Sequence, residues 1–256
     1  NYANRLNSLI LGVFISAITT VIFPLLAKES NNDNIIGMKK IMGNGVNLIL
    51  LITIPATIGL IVLAKPIVEV AFQRGEFDAN ATIMTSKALI FYSIGLVAMA
   101  LRLLITRVYY SLQDTKTPMI NGAISVAFNI VLNLILVKFM AHAGLALATS
   151  IAITIATLLM FYGLKKKIGS LGTLSFMKCG LKSGLASAVM GIVAYNVYHY
   201  LYGLLGMSKL YNFISLISAV GIAVIVYIVL CYLLVDEVRD IIDRIKDIVI
   251  RFIRSL

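Results

Sequence analysis

The chain has 256 residues, of which 60% are hydrophobic and only 13% charged, and its mean hydropathy is +0.98. A soluble domain is about half apolar and about a quarter charged, so a water-soluble globular class is excluded. The net charge of +11 would point to nucleic acid in a soluble protein. Here the cations gather in particular loops and near the C-terminus, which fits membrane orientation and contact with anionic lipids and argues against a nucleic-acid partner.

Seven apolar runs follow in chain order: Leu6–Leu26, Val46–Ala64, Ala88–Leu112, Ile120–Val137, Ala143–Leu164, Leu185–Leu205 and Tyr211–Val235. Each holds about 18 residues or more, enough to cross a hydrocarbon core of ~30 Å. Only a helix satisfies its own backbone in lipid, and the short alternating strands of a β-barrel are absent. The predicted fold is therefore all-α: a polytopic transmembrane bundle of about seven spans over residues 1–235.

Arg5 opens the first run. It reads either as an interfacial arginine at a helix end or as a cavity cation that meets an anionic substrate. Between runs two and three, Pro66 suits a helix start and Gly75 a turn, which predicts a short surface helix. The third run carries Arg102 and Arg107. Arg102 lies ten residues before Leu112, so it sits ~15 Å from that helix end, near mid-membrane. It faces a polar cavity or pairs inside the bundle. Arg107, closer to the end, snorkels to the headgroups. A guanidinium offers a planar fork of donors, which suits a diphosphate or a carboxylate.

Asn129 and Asn133 are four residues apart on run four, hence on one face, and Thr149 lies on run five across a short turn. Their oxygens suit a sodium ion or ordinary interhelical hydrogen bonds. Gly122, Gly144, Gly163, Gly191 and Gly221 suit close helix packing. Pro24 and Pro55 mark expected kinks, and Tyr195, Tyr198, Tyr200 and Tyr202 an aromatic belt. Cys179 and Cys231 read as small buried hydrophobes, and His142 and His199 have no second ligand at metal spacing.

After the last run, Val238, Ile241, Ile242, Ile245, Ile248, Val249 and Phe252 recur at helical spacing. Asp240 with Arg244 and Asp247 with Arg251 form i,i+4 pairs on the other face. Residues 236–256 are thus expected to form an amphipathic helix, along the inner membrane surface or under the bundle.

Loop charges set the topology. One side carries Lys28, Lys39, Lys40, Lys116, Lys165, Lys166, Lys167, Lys178, Lys182, Arg239, Arg244, Lys246, Arg251 and Arg254. The other carries Lys65, Arg74, Lys87, Lys138 and Lys209. Fourteen against five puts the first side, and the C-terminus, in the cytoplasm. An odd span count ending inside, in a chain that starts at Asn1 without a methionine, leads us to expect a missing N-terminal part. No catalytic constellation or phosphate loop is visible, so a transporter is expected rather than an enzyme.

An ordered set of segments then carries a resemblance. Tyr110-Ser-Leu-Gln-Asp-Thr-Lys-Thr-Pro118 is similar to the turn between the tenth and eleventh spans of the MurJ/MviN family of lipid II flippases, within the multidrug/oligosaccharidyl-lipid/polysaccharide exporter superfamily. Asn1-Tyr-Ala-Asn-Arg-Leu6, Phe23-Pro-Leu-Leu26, Phe72-Gln-Arg-Gly-Glu-Phe77 and His142-Ala-Gly-Leu-Ala-Leu-Ala-Thr149 resemble further family segments in the same order. The resemblance implies the C-terminal half of a fourteen-span, two-lobed transporter whose N-terminal lobe is not in this chain. It implies lipid II as substrate, moved outward for peptidoglycan and cell wall synthesis in the bacterial plasma membrane. Arg5 would be a cavity arginine that engages the diphosphate; Arg102 is the second substrate-binding candidate, on its depth in the span and not on the resemblance. Asn129, Asn133 and Thr149 fall where some relatives hold sodium as a coupling ion, although those relatives have an acid in place of Asn133. Runs six and seven would form the groove for the lipid tail. A polysaccharide-unit or drug exporter of the same superfamily is the alternative, and a membrane scaffold a second one.

Overall fold

The computed structural model describes residues 2–206, 208–235 and 238–239. The expected amphipathic helix of residues 236–256 lies outside them, apart from Val238 and Arg239. Among the described residues there are ten α-helices and one π-helical turn, and no strand. By length and hydropathy six helical segments qualify as spans, or seven if one bent pair is counted.

The first span is α1 (Tyr2–Ile10), a π-helical turn (Leu11–Ile15) and α2 (Ser16–Asn31). The turn closes on the Leu11 carbonyl, which accepts from both the N–H and, at 3.3 Å, the hydroxyl of Ser16. α3 (Ile35–Val62) starts eleven residues before the second apolar run, because the Asn34 side chain caps it by accepting from the Gly37 N–H. α4 (Ala64–Phe72) is the short helix expected there, and Gly75 turns the chain with φ +58°.

The third run is where the sequence reading needs most correction. It is two helices, α5 (Ala79–Ile94) and α6 (Leu96–Ser111), bent by 44°. α5 begins at its Asp78 cap, nine residues before the apolar run, since its first turns are polar. At the bend, Gly95 lets α8 approach so closely that a Cβ there would lie 2.8 Å from Ser150 Cα. The Ser150 hydroxyl donates to the Phe91 carbonyl at 2.6 Å, satisfying backbone that the bend frees.

α7 (Lys116–Met140), α8 (His142–Ile168), α9 (Thr173–Leu205) and α10 (Lys209–Leu234) complete the bundle. α9 has 33 residues, hence roughly 50 Å of helix. Its first turns, with Lys178 and Lys182, are helix where the hydropathy implied a loop. α7 packs on α8, α10 on α9, and α9 on α3. α7 is peripheral: Phe128, Ile130 and Leu134 are all exposed. The main core joins α2, α3, α6 and α8 through Leu26, Met38, Met42, Leu104, Val108 and Met160. Among the expected packing glycines, Gly144 meets the Leu136 carbonyl, Gly163 the Tyr109 hydroxyl and Gly191 the Ile58 side chain. Gly221 meets nothing within 4 Å, so its packing role is not observed. Tyr198 is no belt residue; it is buried, and its hydroxyl donates to Asn212 at 2.9 Å, joining α9 to α10.

The turn between α6 and α7 is clamped by Asp114. Its carboxylate accepts from the Thr117 N–H at 3.0 Å, the Thr117 hydroxyl at 2.8 Å and Lys167 Nζ at 2.8 Å. The Lys167 hydrogen bond, then the Thr117 N–H, hold its pKa at about 2, below the ordinary 3.8. A depressed carboxyl stabilises the fold fully above about pH 4, and that contribution is lost as pH falls toward 2. Thermal melts from pH 5 to pH 2 should therefore show an acid limb that Asp114→Asn removes. Gly95→Val should force α8 off the bend and destabilise the protein by about 2 kcal/mol, read as a lower melting temperature in detergent. An unchanged melting temperature would reject the close contact.

Candidate functional site

Two cavities on different sides of the bundle carry the chemistry. The first is an open cleft between α6, α7 and α8 that carries four polar side chains on a largely apolar wall. It encloses ≈ 360 Å³ and is lined by Arg102, Gly122, Ser125, Val126, Asn129, Thr149, Ala152 and Ile153. Arg102 is half-buried, nine residues before the end of α6, so about 14 Å from it along the axis. Its Nη1 donates to the Ser125 hydroxyl at 3.3 Å, and its Nη2 would lie 3.6 Å from a Cβ at Gly122. Glycine there leaves room for the guanidinium. No carboxylate lines the pocket. Arg102 thus both lines this cleft and makes a hydrogen bond inside the bundle, to Ser125.

Ser125 is a partner of Arg102 that the sequence reading missed. It lies four residues before Asn129, so Ser125, Asn129 and Asn133 make one polar stripe along α7. That stripe was available in the sequence once Asn129 and Asn133 had been noticed.

Asn129, Asn133 and Thr149 come together as a hydrogen-bonded ladder. Asn133 Nδ2 donates to Asn129 Oδ1 at 3.0 Å, Asn129 Nδ2 to Thr149 Oγ1 at 3.1 Å, and Thr149 Oγ1 to the Leu145 carbonyl at 2.9 Å. This arrangement joins α7 to α8 through interhelical hydrogen bonds. Asn129 Oδ1 and Thr149 Oγ1 each accept from an amide, and Asn133 Oδ1 is the one buried ladder oxygen without a partner. Among the described residues, no group of three or more His, Cys, Asp or Glu side chains could hold a metal.

Arg5 stands apart from this pocket. Ala3 and Asn7 form the buried face of α1, and Arg5, two residues from each, is exposed about 200° away. Its guanidinium sits 5.9 Å from the Tyr2 ring centre. Tyr2 in turn packs on Phe72 and Phe77, which pins the turn after α4 against the start of α1. Arg107 is exposed toward the other end, 5.5 Å from the Phe23 ring.

The second cavity is apolar and encloses ≈ 390 Å³. α9 and α10 supply Met190, Ala194, Val220, Ala223, Val224 and Tyr227. The sequence reading placed a groove on these two helices alone. The other walls come from the first span, through Ile10 and Phe14, from α3, through Ile52, Pro55, Ala56, Gly59 and Leu60, and from α4, through its cap residue Leu63 and Ile67. The π-helical turn contains Phe14, so an irregular stretch of the first span forms part of this lining.

The family model for lipid II flippase MurJ matches residues 1–234. A probable lipid II flippase MurJ from Vibrio cholerae is 40% identical over 163 residues, covering 64% of this chain and 31% of the relative. One from Rhizobium tropici is 30% identical over 240 residues, covering 91% of this chain and 44% of the relative. A solved structure of lipid II flippase MurJ in an inward closed conformation superposes with a TM-score of 0.74 at 30% identity, over 94% of this chain and 47% of that one. This chain therefore spans less than half the length of each of these relatives. With a family match over nine-tenths of its residues and a solved relative of the same fold, this multi-pass membrane protein belongs to the lipid II flippase MurJ family.

Proposed function

We propose that this chain forms one half of a flippase that carries lipid II from the inner to the outer leaflet of the bacterial plasma membrane for peptidoglycan synthesis. The observation that carries this reading is Arg102, a guanidinium near mid-span whose hydrogen-bond partner is a hydroxyl and whose pocket holds no carboxylate. A charge in that position is costly unless an anion or a wet cavity meets it. A diphosphate matches the guanidinium fork and brings its own charge into the site. Arg5, on the face of α1 turned away from the bundle and apart from that pocket, provides a separate cation for the head elsewhere along its path.

The polyprenyl tail belongs in the apolar cavity between the first span, α3, α9 and α10. Burying each of its methylenes there is worth about 0.8 kcal/mol relative to water. Head and tail are thus held by different parts of one half-bundle. The relatives are about twice as long as this chain, which supports a second lobe that completes the path. The two lobes rock around the site, as in other transporters built from repeats, driven by the membrane potential or an ion gradient. The fourteen cations on one side support a cytoplasmic C-terminus.

The test is complementation of a flippase-depleted bacterial strain by the complete gene product that contains this chain. Arg5→Ala and Arg102→Ala should each abolish growth at normal expression. Loss of one charge-assisted contact to the diphosphate should weaken binding by about 2 kcal/mol, roughly thirtyfold. Arg102→Lys should rescue only in part, because an ammonium lacks the planar fork. Normal growth of both alanine variants would overturn the assignment.

A further inference from the structure

α3 carries Pro55 in its interior. Proline has no N–H, so the Leu51 carbonyl, one turn back, loses its intrahelical donor. Within a membrane that carbonyl needs a partner from elsewhere. The partner is the Tyr227 hydroxyl of α10, which donates to it at 2.7 Å. A phenol has one proton, and this one is spent on Leu51. The Ser183 hydroxyl of α9, 2.9 Å from the Tyr227 oxygen and fully buried, is therefore the donor to Tyr227. The relay Ser183 to Tyr227 to Leu51 joins three helices at the one point where the ladder of α3 is open.

The same tyrosine lines the apolar cavity, and so do Pro55 and its neighbours Ile52 and Ala56. The defect in α3 and the wall of the cavity are thus one place. The half of α3 before Pro55 packs through Met38, Met42, Val46 and Ile49 into the main core, against α2 and α6. Anything that changes how α10 sits on Leu51 acts on a helix that reaches the centre of the bundle.

We propose that Tyr227 is a positioning residue that gears the apolar cavity to α3. Its hydroxyl closes the gap left by Pro55, and a linear isoprenoid entering the cavity acts on α3 through that bond. This rests on the flippase reading above and extends it from where the tail lies to how its arrival is felt.

The test is a double-mutant cycle in the complete protein, reconstituted in lipid nanodiscs. The probe is a long-chain polyprenyl diphosphate with a photoreactive group on its tail, and the readout is its apparent affinity from labelling of α10 near Val220 and Ala223. Tyr227→Phe keeps the ring and removes the hydroxyl; it should weaken apparent affinity roughly tenfold. Pro55→Ala restores the missing N–H, so on that background Tyr227→Phe should cost less than about twofold. A ring that serves only as packing gives the same loss in both backgrounds, and that result overturns the inference. So does full affinity of Tyr227→Phe alone. Melting temperatures of the same four proteins without probe read the hydrogen bond directly, and Pro55→Ala should rescue Tyr227→Phe there too. If the unsubstituted protein is not labelled on these walls, the tail reading fails and the gearing fails with it. Labelling without coupling sinks the gearing alone.

Discussion

The structure depends on one constraint: inside hydrocarbon every backbone N–H and C=O must find a partner within the protein. Straight helices meet it by themselves, but among the described residues a π-helical turn, a bend and the interior prolines Pro24 and Pro55 interrupt the ladder. At the π-helical turn, the Leu11 carbonyl accepts from the N–H and hydroxyl of Ser16. At the bend between α5 and α6, the Ser150 hydroxyl of α8 closes on Phe91. At Pro55, the Tyr227 hydroxyl of α10 closes on Leu51. Two of these repairs come from another helix, so they also decide where that helix sits. α8 must lie close enough to Gly95 for a serine to reach the bend, and α10 must bring a tyrosine to the middle of α3.

This explains how much of the molecule could be read in its sequence. Hydropathy located the apolar middle of every span, because desolvation of the backbone demands such stretches. It misplaced the starts of α3, α5 and α9, since capped polar turns such as Asp78 to Lys87 extend a helix beyond the hydrocarbon without raising hydropathy. It also missed the bend, because Gly95 differs in composition from no other packing glycine; what distinguishes it is the serine opposite. Arg102 and the two asparagines were legible as anomalies, polar groups where lipid permits few. Their partners were legible only in part. Ser125 follows from helical spacing, while the order of donors and acceptors along the Asn133, Asn129 and Thr149 ladder needed the amide geometry. The apolar cavity was half legible: the sequence reading placed its α9 and α10 walls, but not those from the first span and α3, because apolar side chains in a membrane protein carry no signal of which neighbours they meet.

The cations divide by depth in a way that bears on function. Arg5 and Arg107 are exposed and lie over aromatic rings, Tyr2 and Phe23. Lys166 likewise lies over Tyr162. An aromatic face at an exposed site offers a cation modest stabilisation and leaves it free to move. Lys167 is fixed differently, by the Asp114 carboxylate in a turn that water reaches. Arg102 has neither a carboxylate nor an aromatic face in its pocket. Its hydrogen bond to a neutral serine orients the guanidinium and leaves its charge uncompensated by that contact.

A lipid with a diphosphate head sets two opposed demands on a protein. The head needs cations and water, and the tail needs a dry wall. One cavity cannot provide both without burying charge against hydrocarbon at several kcal/mol. Under the proposed function the two demands fall on separate sets of helices, α6, α7 and α8 for the cationic pocket and the first span, α3, α4, α9 and α10 for the apolar cavity. What joins them is packing. α3 lines the apolar cavity beyond Leu51, and before it packs with α6, which carries Arg102. The Leu51 carbonyl that Pro55 deprives of its helical donor lies along that connection, and the hydroxyl that closes it belongs to a residue of the cavity wall. The separation of the two cavities therefore leaves α3, with its interior proline, as a packed connection between the apolar cavity and the helix that carries Arg102.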